Sequence, residues 1–261
     1  MKTRLNIHPD YAFLGAFLAE LPSRFSDLGY PIHEGRNTLR NIAAEGLRLT
    51  VKRYKRPDWV HRFIYGFLCR SKCRRAYDNG MALLARGFST PQPVAWIERS
   101  TAGLLQDAYL VTLQSDFERF TDAANAFPEG DSVPVVEAFA DFAISLHEAG
   151  VEHLDFNHTN ILYRKDPATH RIGFQLIDIN RMRFHDAPLA RHLCVKNLHR
   201  LFCSAIAFLN ILRVYAERRG WDRDEMLLRG IFMRLSFKQF KEQKHRFTRW
   251  LRRLFSHGDA K

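Results

Sequence analysis

The fold of this chain is indicated by one stretch, His153-Leu154-Asp155-Phe156-Asn157-His158-Thr159-Asn160-Ile161-Leu162. An aspartate follows the histidine by two residues, an asparagine follows the aspartate by five, and an apolar segment typical of a strand comes next. Eighteen residues after Asn160, Asp178 ends another apolar segment. Phosphoryl transfer needs one carboxylate to orient the acceptor hydroxyl, and an amide and a second carboxylate to hold Mg²⁺. Asp155, Asn160 and Asp178 are therefore candidates to meet at one metal-bound triphosphate.

The residues around this stretch predict a strand-rich first half and a helix-rich second half. Leu49 and Val51 alternate with polar residues, which indicates a half-buried strand that places Lys52 on the face opposite the core. Apolar residues recur at helical spacing from 134 to 149, and Gly150 is a natural C-terminal stop. This order predicts an α+β protein with two lobes, 1–114 and 115–261. Further strands are expected at 31–33, 39–43, 94–97, 109–113, 151–154, 161–163 and 174–177, and helices from 9 to before Pro22 and at 58–86, 189–219, 222–235 and 237–255.

Composition and charge limit the class of partner. The chain has 261 residues, is 46% hydrophobic and 26% charged, and carries a formal net charge of +12. This composition is typical of a globular protein, and the charge predicts an anionic partner such as a nucleotide, nucleic acid, phospholipid or lipopolysaccharide. No nucleic acid is expected, because no nucleic-acid-binding motif is recognised. A membrane span and a secretory signal are not expected either, because the apolar runs are too short and no cleavage site follows the first one.

The cysteines and histidines give weaker signals. The cysteines form no C-x-x-C pair, so we expect reduced, mostly buried thiols in a cytosolic protein rather than a metal site. His153 is expected to brace its loop by hydrogen bonding, and His147 to lie on a helix surface. The cysteines are Cys69, Cys73, Cys194 and Cys203.

The last predicted helix is basic and amphipathic. Such a helix suits an anionic membrane surface, and the alternative is an ordinary helix packed on the second lobe with a solvated basic back. The apolar residues near one face are Phe237, Phe240, Phe247, Leu251 and Leu254, and the cations around the rest are Lys238, Lys241, Lys244, Arg246, Arg249, Arg252 and Arg253.

On these features the chain resembles the protein-kinase-like superfamily, and within it the lipopolysaccharide core kinase family, which includes 3-deoxy-D-manno-octulosonic acid (Kdo) kinases and core heptose kinases. The resemblance covers roughly residues 31–184. It implies a two-lobed kinase-like fold with a small strand-rich N-lobe and a mostly helical C-lobe. The matching segments are 34–37, 51–55, 87–93, 146–150, 153–162 and 177–184.

The resemblance also assigns roles to residues. It implies that Asp155 is the catalytic base, that Asn160 and Asp178 hold Mg²⁺, and that Lys52 contacts the α- and β-phosphates of ATP. The turn at 35–38 would cover the phosphates, which makes Gly35, Arg36 and Asn37 nucleotide-binding candidates. Asp78 is the candidate acidic partner of Lys52, and the hinge that meets the base edge is expected near 113–116.

Several positions depart from the kinase pattern. The phosphate-covering loop has one glycine rather than three, and Asn157 stands where protein kinases often carry a lysine near the γ-phosphate. Kinases usually have Glu where this chain has Asp78. Asn180 replaces the glycine after the metal-binding aspartate, and we expect it to keep the turn because asparagine tolerates a positive φ. The short segment from Asp178 to Pro188 favours a small or glycolipid acceptor over a protein.

The resemblance implies an ATP- and Mg²⁺-dependent kinase that phosphorylates a Kdo or heptose hydroxyl of the lipopolysaccharide inner core. Its acceptor would be Kdo-lipid A or a core oligosaccharide, and its place cytoplasmic, with a peripheral seat on the inner membrane. A pseudokinase or nucleotide-binding regulatory module, and a kinase of another small molecule, remain as alternatives. Arg181 and Arg183 either bind a substrate phosphate or carboxylate, or are arginines that are solvated or brace the fold. The alternative for Lys52 is that it is a solvated charge. The alternative for Asp155 is that its side chain caps a loop, and for Asp178 that it is an acidic residue of a turn at the end of a strand.

Overall fold

A computed structural model describes residues 1–65 and 69–256, without the side chains of residues 60, 61, 238, 241, 244, 245, 247 and 250–256. The chain folds into two compact units. The first comprises Met1–Phe120, His153–Asp155 and Thr159–Phe184, and the second Thr121–Glu152, Phe156–His158 and His185–Lys261. The predicted α+β class, strand-rich first and helical last, is confirmed, while the lobe boundary between residues 114 and 115 stays a proposal.

The elements follow one another as strands, then helices. Within the described residues, no helix is long and apolar enough to cross a membrane. The strands are β1 (Lys2–Ile7), β2 (Tyr30–Glu34), β3 (Thr38–Ala44), β4 (Leu47–Arg53), β5 (Pro93–Thr101), β6 (Leu104–Leu113), β7 (Glu118–Arg119), β8 (Val151–His153), β9 (Ile161–Lys165), β10 (Ile172–Leu176) and β11 (Met182–Phe184). The helices are α1 (Gly15–Arg24), α2 (Trp59–Phe63), α3 (Lys72–Ala85), α4 (Phe120–Ala126), α5 (Ser132–Glu148), α6 (Arg191–Leu198), α7 (Ala205–Arg218) and α8 (Arg223–Ser256), with short 3-10 helices at Pro9–Leu14 and His158–Asn160.

The first unit is built on a six-stranded antiparallel sheet in the order β1-β5-β6-β4-β3-β2. Leu49 and Val51 of β4 are fully buried, in a core shared with Leu18 and Leu21 of α1. Successive side chains of a strand point to opposite faces, so Lys52 lies on the face away from this core. The alternation read from the sequence therefore gives the correct orientation of β4.

One strand of the N-terminal segment was not predicted, and one predicted helix end is wrong. The residues before Pro9 form strand β1, which pairs with β5 through Leu5 and Ile97, and they were not expected to form a strand. The following helix continues through Pro22 to Arg24 instead of ending before it. Leu18 and Leu21 are fully buried in this helix, and their burial offsets the hydrogen bond that proline cannot donate.

A second, three-stranded sheet in the order β10-β9-β7 carries two of the candidate site residues. Ile161 of β9 lies opposite Leu176 of β10, so Asn160, just before β9, is adjacent to the end of β10. The N–H of Ile177 donates to the carbonyl of Asn160 at 2.9 Å. This hairpin fixes Asp178 two residues beyond the end of β10.

The second unit is helical, but its helices are divided differently from the sequence prediction. The single helix expected at 189–219 is two helices, α6 and α7, and Ser204 caps α7 by accepting from Ala207 N at 3.2 Å. The two helices expected at 222–235 and 237–255 are one continuous helix, α8. Lys238, Lys241, Lys244, Phe247, Leu251, Arg252, Arg253 and Leu254, predicted for its amphipathic faces, lie outside the described side chains. Of the four free cysteines, Cys69 is exposed and the others are buried.

His147 lies in the interior of the second unit, so its predicted place on a helix surface is wrong. Its side chain is 1% exposed and forms hydrogen bonds with the Tyr215 hydroxyl at 2.9 Å and the Asn197 amide oxygen at 3.1 Å. The Asn197 oxygen only accepts, so the imidazole Nε2 carries the proton and Nδ1 accepts from Tyr215. Burial lowers the pKa of His147 to about 4.

We expect His147 to make stability fall at mildly acidic pH. The unfolded chain takes up a proton near the ordinary histidine pKa of about 6.5, whereas the folded chain resists protonation until about pH 4. The contribution of neutral His147 to the free energy of unfolding is therefore complete above pH 6.5 and is lost as pH falls towards 4. Between pH 7.5 and 5 the loss is roughly 2 kcal/mol. In urea unfolding, the free energy of unfolding of His147→Gln should depend less steeply on pH than that of the control His192→Gln, in which an exposed histidine is replaced. Equal dependence on pH in the two variants would contradict this role of His147.

Candidate functional site

His153 connects the two segments that carry the candidate site. Its ring lies fully inside the first unit, where Nε2 donates to the carbonyl of Ile177 at 3.1 Å and Nδ1 accepts from the N–H of Asp155 at 3.1 Å. Burial lowers the pKa of His153, so the ring stays neutral and keeps one donor and one acceptor. His153 therefore fixes the backbone at Asp155 relative to the residue before Asp178, as its predicted bracing role requires.

Asn160 makes a second connection within the same loop. Its side-chain nitrogen donates to the backbone carbonyl of Asp155 at 2.9 Å. Its own carbonyl accepts from Ile177, as described above. Because the amide nitrogen is used by the loop, the amide oxygen is the atom that remains to ligate a cation. Neither of these bonds uses the Asp155 carboxylate.

Asp178 lies in a left-handed conformation with φ of 55°, which is uncommon outside glycine. Its Oδ1 accepts from Lys52 Nζ at 2.8 Å and from the Asn180 side-chain nitrogen at 3.0 Å. The positive φ was expected at Asn180, and this expectation is wrong because the turn is made at Asp178 itself. Asn180 instead stabilises the turn by donating to the carboxylate two residues before it.

A cavity of about 320 Å³ lies beside the Lys52–Asp178 pair. It is of the size of small-molecule sites, and apolar side chains of the sheet and of the β9–β10 hairpin line much of it. Gln114 and Ser115, in the segment predicted as a hinge, belong to the lining, and Ser115 donates to the Gln175 side chain at 2.7 Å. The lining includes Leu39, Lys52, Leu110, Asn160, Leu162 and Asp178.

A smaller cavity of about 160 Å³ shares Tyr54 and Asp178 with the first. It also contains Asp155, which places both predicted carboxylates on one cavity wall. The remaining lining residues all carry a cationic or an amide side chain, and they are Arg36, Asn37, Lys72, Asn180 and Arg181. A larger cavity of about 470 Å³ elsewhere in the first unit is lined by residues such as Lys2, Glu98 and Leu105 and includes none of the predicted site residues.

The predicted ion pair between Lys52 and Asp78 is wrong. Lys52 pairs with Asp178, and Asp78 pairs with Arg70 at 2.8 Å on the surface. The cause is the register of α3, in which Ala76 lines the cavity of about 320 Å³ beside Lys52 and Asp178. Asp78 follows Ala76 by two residues, or about 200° around a helix, and therefore points away from it.

Other predicted residues are divided between the site and the surface. Arg36, Asn37 and Arg181 line the smaller cavity, whereas Gly35 and Arg183 line neither of the two cavities in the described part of the chain. Gly35 lies in the β2–β3 turn, and Arg183 is an exposed residue of β11.

Sequence comparison supplies a family for this arrangement. The sequence model of the lipopolysaccharide kinase (Kdo/WaaP) family matches residues 33–223. The chain belongs to this family. It is therefore a kinase of lipopolysaccharide biosynthesis, and the matched segment contains every predicted site residue from Gly35 to Arg183. No individually curated protein matches the sequence.

A solved structure shows the same fold. The chain matches "WaaP in complex with acyl carrier protein" with a TM-score of 0.58 and 21% sequence identity, over 92% of this chain and 98% of that one. At this identity the likeness shows the fold, so the predicted kinase-like architecture is confirmed.

Three residues that the structure places at or beside the site of this kinase were not predicted from the sequence. Lys72 and Tyr54 line the smaller cavity, and Asn79 of α3 donates to the carbonyl of Ile179 at 2.7 Å. Lys72, Ala76 and Asn79 are spaced four and three residues apart, so they lie on one face of α3. This spacing is visible in the sequence. The kinase pattern predicts an acidic partner for Lys52 and favours Asp78, which does not lie on this face.

Proposed function

We propose that this chain transfers the terminal phosphoryl group of ATP, bound with Mg²⁺, to a hydroxyl of Kdo or heptose in the lipopolysaccharide inner core. The observation that carries the proposal is the 2.8 Å pair of Lys52 and Asp178 at a cavity wall that also includes Asn160, next to a cavity that includes Asp155. This is the set of groups that phosphoryl transfer uses.

The donor atoms suit a magnesium nucleotide. Mg²⁺ prefers carboxylate and amide oxygens, which Asp178 and Asn160 would supply. Lys52 supplies a cation for phosphate oxygens, and its side chain is only 15% exposed, so its field is weakly screened. The cavity of about 320 Å³ beside Lys52 and Asp178 offers apolar walls for a planar base. Bound Mg²⁺ would neutralise charge that develops on the phosphate oxygens.

The residues of the chain then have separate tasks. Asp155 orients the acceptor hydroxyl and accepts its proton during attack on the phosphorus. Asn160 and His153 hold the backbone of Asp155, so the carboxylate is placed before the acceptor arrives. Lys52 and Asp178 lie on the nucleotide side, where Lys52 would contact the phosphates and Asp178 would hold the Mg²⁺ that is bound to them. Catalysis then rests on positioning and electrostatic stabilisation rather than on a covalent intermediate.

The proposal is tested by incubating the purified chain with ATP, Mg²⁺ and Kdo-lipid A, and separately with a core glycolipid that contains heptose. Mass spectrometry should show the addition of one phosphate, and NMR of the product identifies the hydroxyl. ATP binding without product from either acceptor would instead support the nucleotide-binding module or a kinase of another small molecule.

An exposed apolar face on α8 supports a second part of the proposal, contact with an anionic membrane surface. Leu228, Phe232 and Leu235 are 70%, 71% and 56% exposed and lie on one side of the helix at spacings of four and three residues. A face of this kind, on a chain with a net charge of +12, is typical of helices that lie at a lipid interface. A glycolipid acceptor is presented at such an interface.

We expect Phe232→Ser to weaken binding to vesicles that contain phosphatidylglycerol by about tenfold or more, because burying a large apolar side chain is worth about 1.5–3 kcal/mol. Phe13→Ser is the matched control, since Phe13 is 60% exposed in the other unit. Co-sedimentation measures both variants. Equal binding by the two variants would contradict a role for this face. Equal binding of the unaltered chain to neutral vesicles would contradict the need for an anionic surface.

A further inference from the structure

The cavity of about 470 Å³ in the first unit is lined by none of the predicted site residues. Residues of β1, of β5 and of the β5–β6 turn form its walls, together with Tyr65. Its volume is in the range of small-molecule sites. Strand β1 precedes residues 33–223, the segment that matches the family model, so membership of the family assigns no role to this wall.

Glu98 of β5 places a buried carboxylate at this cavity. Its neighbour Ile97 is fully buried in the core of the sheet, so Glu98 points to the opposite face, where it lines the cavity. Glu98 is only 6% exposed, and its carboxylate forms no hydrogen bond or ion pair within the described part of the chain. A buried carboxylate without a partner is unfavourable, because it has lost the water that would otherwise solvate it. A proton donor that enters the cavity removes this penalty.

Two cations of β1 lie at the exposed edge of the same cavity. Lys2 and Arg4 are both exposed and both line it. Arg4 lies directly opposite Glu98 in the β1–β5 pairing, so the two side chains share one face of the sheet. They nevertheless form no ion pair with each other. The cavity therefore has a negative group inside and two positive groups at its edge, and these charges are separated.

We propose that this cavity binds a small zwitterion of the phosphoethanolamine type, with its ammonium group on Glu98 and its phosphate on Lys2 and Arg4. An ammonium group brings three donors and a positive charge to a carboxylate, and a phosphate brings several acceptor oxygens to two cations. A simple cation would be repelled by Lys2 and Arg4, and a simple anion by Glu98. A ligand that carries both charges matches both ends of the cavity.

This zwitterion has two possible sources, a free solute or the headgroup of phosphatidylethanolamine. O-phosphoethanolamine is the probe for the first source. Vesicles of fixed phosphatidylglycerol content, in which phosphatidylethanolamine replaces phosphatidylcholine, are the probe for the second. Phosphocholine and ethanolamine are the comparison solutes. The methylated ammonium of phosphocholine keeps its charge but donates no hydrogen bond, and ethanolamine lacks the phosphate.

Glu98→Gln removes the buried charge and keeps the size of the side chain. Glu45→Gln is the matched control, because Glu45 is exposed in the same unit and lies outside the lining of this cavity. Glu98→Gln should fold, since it removes a buried charge that has no partner, and thermal denaturation checks this. Arg4→Gln alters the other end of the site at an exposed position, so the inference can be tested even if Glu98→Gln does not fold.

We expect the unaltered chain to bind O-phosphoethanolamine about tenfold more tightly than phosphocholine or ethanolamine in calorimetry, because each comparison solute lacks one charge-assisted contact. Glu98→Gln should weaken binding of O-phosphoethanolamine by about tenfold or more, and Arg4→Gln by about threefold, since Lys2 remains. If the headgroup is the source, phosphatidylethanolamine increases co-sedimentation of the unaltered chain and not of Glu98→Gln. If a free solute is the source, only the calorimetric affinity changes.

The inference is overturned if the unaltered chain binds neither O-phosphoethanolamine nor phosphatidylethanolamine, or if Glu98→Gln binds both as Glu45→Gln does. Binding of the phosphate at the smaller cavity would be insensitive to Glu98 and would give this second result. Equal affinity for phosphocholine would also overturn it, because no proton donor would then be needed at Glu98. These measurements use neither ATP nor an acceptor, so their outcome is separate from that of the phosphate-transfer assay.

Discussion

Asp155→Asn is expected to lower kcat by about 10²–10⁴-fold, the range that positioned acid–base groups contribute. The amide keeps the size of the side chain but does not accept the proton of the acceptor hydroxyl. Affinity for ATP should change little, because the nucleotide side of the site is formed by Lys52, Asn160 and Asp178. The KM for the acceptor should change less than kcat, since the proton is transferred during the chemical step.

The structure indicates that this variant folds normally. The N–H of Asp155 donates to His153 and its carbonyl accepts from Asn160, so the loop is held by backbone atoms that the substitution leaves in place. The free energy of unfolding, measured by thermal denaturation, should therefore change by no more than about 0.5 kcal/mol, which is the change that surface substitutions usually cause.

Asp186→Asn is the matched control for Asp155→Asn. Asp186 is exposed and lies outside the lining of both cavities, so the control makes the same charge change away from the site. A coupled ADP assay with Kdo-lipid A gives kcat for both variants. Turnover by Asp155→Asn at the rate of the control would remove Asp155 from the mechanism and leave another group as the base.

The local parts of this fold were predictable from local patterns. The alternation of apolar residues in β4 gives the face of Lys52, and the helical spacing before Gly150 gives α5 and its end. Asp155, Asn160 and Asp178 come together if the chain between them forms a hairpin. The β9–β10 hairpin, in which Ile161 pairs with Leu176, meets this condition. Residue types and short-range geometry were sufficient for these features.

Features that depend on distant contacts were not predictable in this way. Strand β1 exists because it pairs with β5, which lies far along the chain, and its own sequence carries only two apolar residues, Leu5 and Ile7. The interior position of His147 depends on Tyr215 and Asn197, which belong to other helices. Local propensity contains no information about these partners.

The error at Asp78 has a different cause. The kinase pattern carries an acid at this position and therefore favours Asp78, but the pattern contains no information on which face of α3 meets the sheet. The residues Cys73, Ala76, Tyr77, Gly80 and Leu83 are buried, so their spacing defines the inner face and excludes Asp78. The same spacing would have drawn attention to Lys72, one turn before Ala76.

Asp178→Asn is expected to weaken binding of the Mg²⁺ complex of ATP by at least about tenfold, because a neutral amide replaces the carboxylate that would ligate the cation. Asparagine is suited to this test, since it tolerates the positive φ of Asp178 better than other residues with a side chain. Its amide oxygen can still accept from Lys52 and Asn180, so the loss would report the charge rather than the fold. Calorimetry with Mg²⁺ present and absent separates the metal-dependent part of the affinity.

Asp78→Asn is the informative comparison for Asp178→Asn, because the two variants make the same chemical change at the two acids that could pair with Lys52. In the structure Asp78 contacts Arg70, and partly exposed pairs of this kind contribute at most about 1 kcal/mol. Asp78→Asn should therefore leave the affinity for the magnesium nucleotide unchanged within about twofold. If Asp78→Asn weakened it as much as Asp178→Asn, Lys52 would have to exchange partners when the nucleotide binds, and α3 would have to rotate to bring Asp78 inward.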